Sequence, residues 1–175
     1  MNCINYIAEI FLPSKSAYSV QVMKMCEEFS NSGNKVQLHI FKKLKEKNHK
    51  RYNCKKKFKI ISHKINHNNF LNRIFFAIKI LLHFRNSNAI FYCRSIISGI
   101  FLAYTKKKVI IEIHHELKSF TLFIFNISSY FNFFKNIKFV FISKNLKKFY
   151  KLKNKSIIAD DAVDLSSFKY LNTSK

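Results

Sequence analysis

The run Val109-Ile110-Ile111-Glu112-Ile113 constrains this chain more than any other feature. Four of its five residues are β-branched, so both faces of the strand they form are apolar, and such a strand has to be covered on both sides. Other apolar runs recur at residues 3–11, 36–41, 58–61, 89–93, 138–142 and 156–159. Between them, apolar residues fall at helical spacing. Ser19 to Ser32 places Val20, Val22, Met23, Met25, Cys26 and Phe29 at that spacing. Ser16-Ala17-Tyr18-Ser19 can cap this helix at its start, and Gly33 stands where a left-handed cap belongs at its end. Helices are likewise expected over 69–84, 95–104, 117–134 and 144–152. A strand-helix-strand unit repeated about six times with short connections predicts an α/β fold, a Rossmann-like doubly wound parallel sheet. The expected domain covers residues 1–165, with 166–175 as the start of a linker. Residues 42–59, KKLKEKNHKRYNCKKKFK, carry charge without periodicity and read as a solvated excursion.

At 175 residues the chain is long enough for one core, burying roughly 70% of its unfolded surface. Its formal net charge is +23, from 32 Lys and Arg against 9 Asp and Glu. Lys, Asn, Ile, Phe and Tyr make up 97 of the 175 residues, whereas Gly, Pro and Trp number 2, 1 and 0. That bias is what AT-rich coding produces, so part of the basicity reflects composition rather than an anionic partner. Charge and hydrophobicity together exclude an acidic disordered tail, a collagen and a low-complexity linker. Cys3, Cys26, Cys54 and Cys93 follow no regular spacing, which fits neither a disulfide scaffold nor a zinc ribbon and suggests a reducing cytosol. No basic segment followed by an apolar stretch opens the chain, so no signal peptide is expected. The richest apolar stretch, Ser119 to Phe134, is shorter than a spanning helix and is interrupted by Asn126, Ser128, Ser129 and Asn132.

Ligands of open parallel sheets bind at the carboxyl ends of the strands, so the residues following each run matter most. They include Pro13-Ser14-Lys15-Ser16-Ala17, then Val22-Met23-Lys24-Met25, Gly33-Asn34-Lys35-Val36, Tyr92-Cys93-Arg94, Glu112-Ile113-His114, Ile142-Ser143 and Val163-Asp164. This ordered set resembles the N-terminal domain of glycosyltransferase family 4, retaining enzymes of the GT-B fold. The sequence departs from the family pattern at Gln21 and Asn34, where histidine is usual, and at Ala162, where glycine is usual. The resemblance implies the acceptor-side half of an enzyme that moves a sugar from a nucleotide-sugar to a glycan or lipid-linked acceptor. The donor-binding half would lie beyond residue 175 or be separately encoded, and this chain alone would transfer little or nothing.

The resemblance also assigns roles. His114 would approach the donor sugar; an imidazole can donate or accept a hydrogen bond near neutral pH. Glu112 would organise the cleft, and Arg94 would hold a phosphate or an acceptor anion. Gln21 would join them, while Ser14, Ser16 and Ser19 would either contact acceptor or phosphate or simply cap the first helix. Asp161, Val163 and Asp164 would form the turn toward a second domain. Each has a plainer alternative, a strand-end histidine, a surface ion pair or a cap. No cofactor and no metal are expected: His115 points away from Glu112 and His114 by strand alternation, and neither this string nor His63 and His67 matches a zinc spacing. The expected location is the cytoplasm, with contact at the inner face of an anionic membrane through residues 42–59 as an extension. A basic module that binds nucleic acid or anionic lipid without catalysis is the rival reading. Scarce arginine and glycine and the absence of a recognisable RNA or DNA motif weigh against nucleic acid.

Overall fold

The structure is a computed structural model that describes residues 3–44, 48–55, 58–87, 89–131, 133–150, 152 and 156–159. Asp161, Val163, Asp164 and the 166–175 linker lie outside the described residues. In chain order the elements are β1 (Cys3–Ile7), β2 (Phe11–Leu12), α1 (Ala17–Asn31), β3 (Lys35–Ile40), β4 (Lys42–Lys43), α2 (Asn48–Arg51), β5 (Lys59–Ser62) and α3 (Phe70–His83). They continue with β6 (Ile90–Cys93), α4 (Ile96–Tyr104), β7 (Lys108–Ile113), α5 (Ser119–Tyr130), a 3₁₀ turn (Phe133–Asn136), β8 (Ile137–Phe141), α6 (Lys144–Tyr150) and β9 (Ser156–Ile158).

Seven strands form one parallel sheet in the order β5-β3-β1-β6-β7-β8-β9. The order reverses direction at β1, with β3 on one side and β6 on the other. This is the switch point of a doubly wound fold, where two strand ends part and leave a crevice. The Rossmann-like α/β architecture expected from the alternation is therefore present. Residue alternation divides the interior between the two faces of the sheet. Tyr6, Leu38, Ile40 and Tyr92 pack with Val22, Met23 and Cys26 of α1. Ile7, Phe41, Phe91, Ile111, Phe139 and Phe141 pack under α3, α4, α5 and α6.

Helix ends follow their sequence signals. Ser16, Asn69 and Ser95 cap α1, α3 and α4, each side chain accepting a backbone N–H three residues on. Gly33 takes φ +82° just past α1, where a side chain would be strained. Gly99 is required for another reason. A Cβ there would lie 2.7 Å from Ile111 Cδ1 and 3.2 Å from Cys93 Cβ, so α4 sits directly on the sheet.

Two expectations need correction. The first apolar run does not stay in one strand: β1 ends at Ile7, and Phe11–Leu12 pairs instead with Lys42–Lys43 in a separate two-stranded sheet. The 42–59 segment is not simply a solvated excursion. Asn48–Arg51 makes one helical turn, and Tyr52, Cys54 and Phe58 are buried against the α1 face. The Tyr52 hydroxyl donates to Ser14 O (2.6 Å) and accepts from Ser14 N–H (2.7 Å). Buried Glu27 of α1 accepts from the Lys55 N–H. Apolar residues spaced among lysines carry no period, so the sequence hides their common inward direction.

Candidate functional site

The site stands at the switch point, where β1, β6 and β7 end beside the first turns of α1. The chain leaves β6 under tight backbone control: the N–H groups of Arg94 and Ser95 both donate to Ile7 O, at 3.0 and 3.3 Å. This turns the Arg94 side chain toward α1, where only 4% of it remains exposed. Its Nη1 donates to Gln21 Oε1 at 3.0 Å, and its guanidinium carbon lies 4.4 Å from the centre of the Tyr18 ring. Stacking and a hydrogen bond thus hold the plane of the cation.

Strand alternation in β7 sends Glu112 to the same face, and His114, two residues later, follows it. Glu112 Oε1 lies 2.7 Å from His114 Nε2, and Glu112 Oε2 lies 4.0 Å from Arg94 Nε. Burial alone would raise the Glu112 carboxyl. The hydrogen bond and charge of His114, the charge of Arg94 and the Tyr92 hydroxyl outweigh it and hold the group below the usual carboxylate range. Burial pushes the Tyr18 and Tyr92 phenols far up, so both are neutral donors at physiological pH. Burial also lowers His115, and electrostatic repulsion from His114, Lys118, Arg73 and Arg94 lowers it further.

A cavity of about 310 Å³ opens among these groups, with Tyr92 behind Glu112 rather than in its lining. Tyr18, Gln21, Arg94, Glu112, His114 and His115 line its polar part, and Ile96, Ile113 and Leu117 supply an apolar wall. A second network braces its edge. Glu9 accepts from Ser95 Oγ (2.7 Å) and from Arg73 Nε (2.6 Å), while Arg73 Nη1 donates to Thr121 Oγ1 (3.1 Å). A fixed cation, a carboxylate-oriented imidazole and a neutral amide around one small crevice suit a ligand rich in hydroxyls or bearing an anion.

Of the residues singled out in the sequence, the structure brings Gln21, Arg94, Glu112 and His114 together. It does not bring Ser14, Ser16 and Ser19 into the cavity. Their hydroxyls form a chain, Ser14 Oγ to Ser16 Oγ (3.1 Å) and Ser16 Oγ to Ser19 Oγ (2.9 Å), that ends in the α1 cap, with Ser19 buried. Tyr18 and Tyr92 were missed as site residues. Tyr18 lies in the same helical turn as Gln21, and that spacing was the signal available. Among the described residues no group of three potential ligands is arranged to hold a metal ion. No described helix is long and apolar enough to cross a membrane.

No protein-family profile matches the chain, and no curated protein matches it in sequence. Its fold is similar to that in the crystal structure of a glycosyltransferase from Rickettsia africae ESF-5, with a TM-score of 0.59 at 14% identity. The alignment covers 94% of this chain and 44% of the Rickettsia protein. The chain therefore shares the fold of less than half of that glycosyltransferase.

Proposed function

We propose that this chain is the acceptor-side half of a glycosyltransferase, which moves a sugar from a nucleotide-sugar to a hydroxyl of a glycan or lipid-linked acceptor. The observation that carries the reading is the convergence of Gln21, Arg94, Glu112 and His114 on one cavity at the switch point. Arg94, Glu112 and His114 match the pattern of glycosyltransferase family 4 that the sequence resembles, and Gln21 stands where that pattern usually has histidine. Arg94 would hold an anionic or polyhydroxylated group of the ligand. Glu112 would fix the ring of His114, whose imidazole would hydrogen-bond the sugar during transfer. Ile96, Ile113 and Leu117 would keep water from that side of the crevice. The nucleotide-sugar would be held chiefly by a second half, either beyond residue 175 or separately encoded.

The reading is tested by saturation-transfer NMR of the purified chain against sugars and nucleoside-diphosphate sugars, with Arg94→Met alongside. Ligand protons should saturate with the wild-type chain and lose most of that signal with Arg94→Met, while no sugar is transferred. Absence of binding at millimolar ligand would overturn the reading. So would transfer by this chain alone at about 1 per second or faster, a rate typical of complete enzymes.

A further inference from the structure

We infer that the outer face of the α3–α5 helix layer docks onto a membrane surface containing anionic lipid. This does not depend on the proposed transferase activity. α3 exposes Leu71, Phe75, Ile78 and Leu82, which are 74%, 51%, 40% and 66% accessible and recur every three or four residues. α5 exposes Phe120, Phe123, Ile127 and Tyr130 at the same spacing. Each series is a single stripe along its helix. Both helices pack against α4, which lies between them on the same side of the sheet. The Phe70 and Phe120 rings, 4.0 Å apart, join α3 and α5 at one end, and Tyr104 extends from the end of α4. Soluble monomers rarely leave so much apolar surface together.

Charge selects the occupant. From residue 70 to residue 159 the sequence contains two acidic residues, Glu112 and Glu116, and neither lies on a helix. The helices of this face carry no carboxylate, and their flanks carry Arg85, Lys106, Lys107, Lys118 and Lys135. Lys79 Nζ lies 4.6 Å from the centre of the Phe75 ring and donates to His63 O at 3.1 Å, which puts a cation beside the α3 stripe. Apolar stripes whose flanks are mainly cationic, with Glu116 before α5 as the one carboxylate beside them, fit the acyl-headgroup boundary of an anionic bilayer. A second copy would set the same cations against one another. The surface is also distinct from the 42–59 segment, whose Tyr52, Cys54 and Phe58 are turned inward.

The chain has no tryptophan, so a single introduced one reports its own surroundings. Phe123→Trp places it on α5, and Val20→Trp places it at an exposed position of α1 on the opposite face. Each variant is titrated with vesicles of phosphatidylcholine alone and with vesicles containing 30% phosphatidylglycerol. The expected result is a blue shift and quenching by brominated acyl chains for Phe123→Trp with anionic vesicles only. Phe75→Ser with Ile127→Ser, both at exposed positions, should weaken vesicle binding at least tenfold with an unchanged far-ultraviolet circular dichroism spectrum. Three results would overturn the inference. One is binding without a shift at position 123, which is adsorption by net charge. Another is an equal response at position 20. The third is a shift that grows with protein concentration without vesicles, which means that a second copy covers the face.

Discussion

The two faces of the sheet solve different problems. On the α1 side the strands present Tyr6, Tyr92 and Glu112, and α1 answers with Tyr18, Gln21 and buried Glu27. Ionised groups there are paired and hydrogen-bonded, as groups largely removed from water must be. On the opposite side the strands present phenylalanine and isoleucine to α3, α4, α5 and α6; Phe41 meets Phe76 edge to face, and Phe125, Phe139, Phe141 and Tyr150 form a second aromatic group. One face spends its burial on positioning polar groups, the other on cohesion. A chain that separates these tasks can change its site without emptying its core.

The sharpest way to break that division is to excavate the cohesive face. Phe139 is fully buried in β8 between Phe125 and Phe141. Phe139→Ala should cost about 3–5 kcal/mol in urea unfolding, without altering ligand affinity of whatever fraction stays folded. A parallel loss of affinity would show that the two faces are coupled.

The polar face is tested by Arg94→Met, which removes a cation from beside Glu112 while keeping much of the side-chain volume. Breaking a buried pair from one side costs about 3 kcal/mol or more; the 4.0 Å separation and the remaining His114 contact put this site at the lower end, at about 3 kcal/mol. Adding Glu112→Leu should recover part of that stability without restoring ligand binding. If the single variant is as stable as wild type, the pairing is not what holds this face together.

How much of this was legible in the sequence follows the same division. Each strand of the main sheet was legible because β-branched and aromatic runs signal burial on both faces locally. Gln21, Arg94, Glu112 and His114 were legible only as pieces of an ordered pattern, and no periodicity would have joined four residues drawn from three separate elements. Tyr52, Cys54 and Phe58 were not legible, because a lysine-rich background conceals inward residues that have no repeat. The meeting of His39, His63 and His83 was not legible either, since it depends on β3 lying beside β5 with the end of α3 over both.

That histidine cluster is an exception to the apolar character of the α3 face, and pH should expose it. His39 Nδ1 and His63 Nε2 are 3.0 Å apart, and the His83 ring lies 5.5 Å from that of His39. Burial, then His63, His83 and Lys59, lower His39 to about 3; burial, then His83 and Lys79, lower His63 to about 4. Both fall below the ordinary histidine value, so below about pH 6.5 the unfolded chain binds more protons than the folded one. Stability is therefore fully present above that pH and is lost as pH falls toward 4. For His39 the slope approaches about 1.4 kcal/mol per pH unit, or about 2 kcal/mol between pH 6.5 and 5, and the more exposed, more screened His63 adds a smaller loss in the same direction. His39→Leu should flatten the profile measured by urea unfolding; an unchanged slope would assign the loss to other groups.

The smallest expected effect settles what the serines before α1 do. Ser16 Oγ accepts the Ser19 N–H at 3.2 Å and also bonds the Ser19 hydroxyl, so it completes the first turn of the helix that carries Tyr18 and Gln21. Ser16→Ala removes the cap and should cost about 1 kcal/mol. Gln21 sits one turn further on and is tied to Arg94, so the cavity should keep its shape and its ligand affinity. Ser16→Asp replaces the acceptor with a carboxylate that can still cap, and should return stability to near the wild-type value. A ligand with a phosphate beside these serines would separate the two substitutions in another way. Its affinity would fall with Ser16→Ala and fall further with Ser16→Asp, because the new negative charge repels it. Restored stability with unchanged affinity in Ser16→Asp places the serines in the scaffold of the polar face, and a fall in affinity in both variants extends the site to the N-terminus of α1.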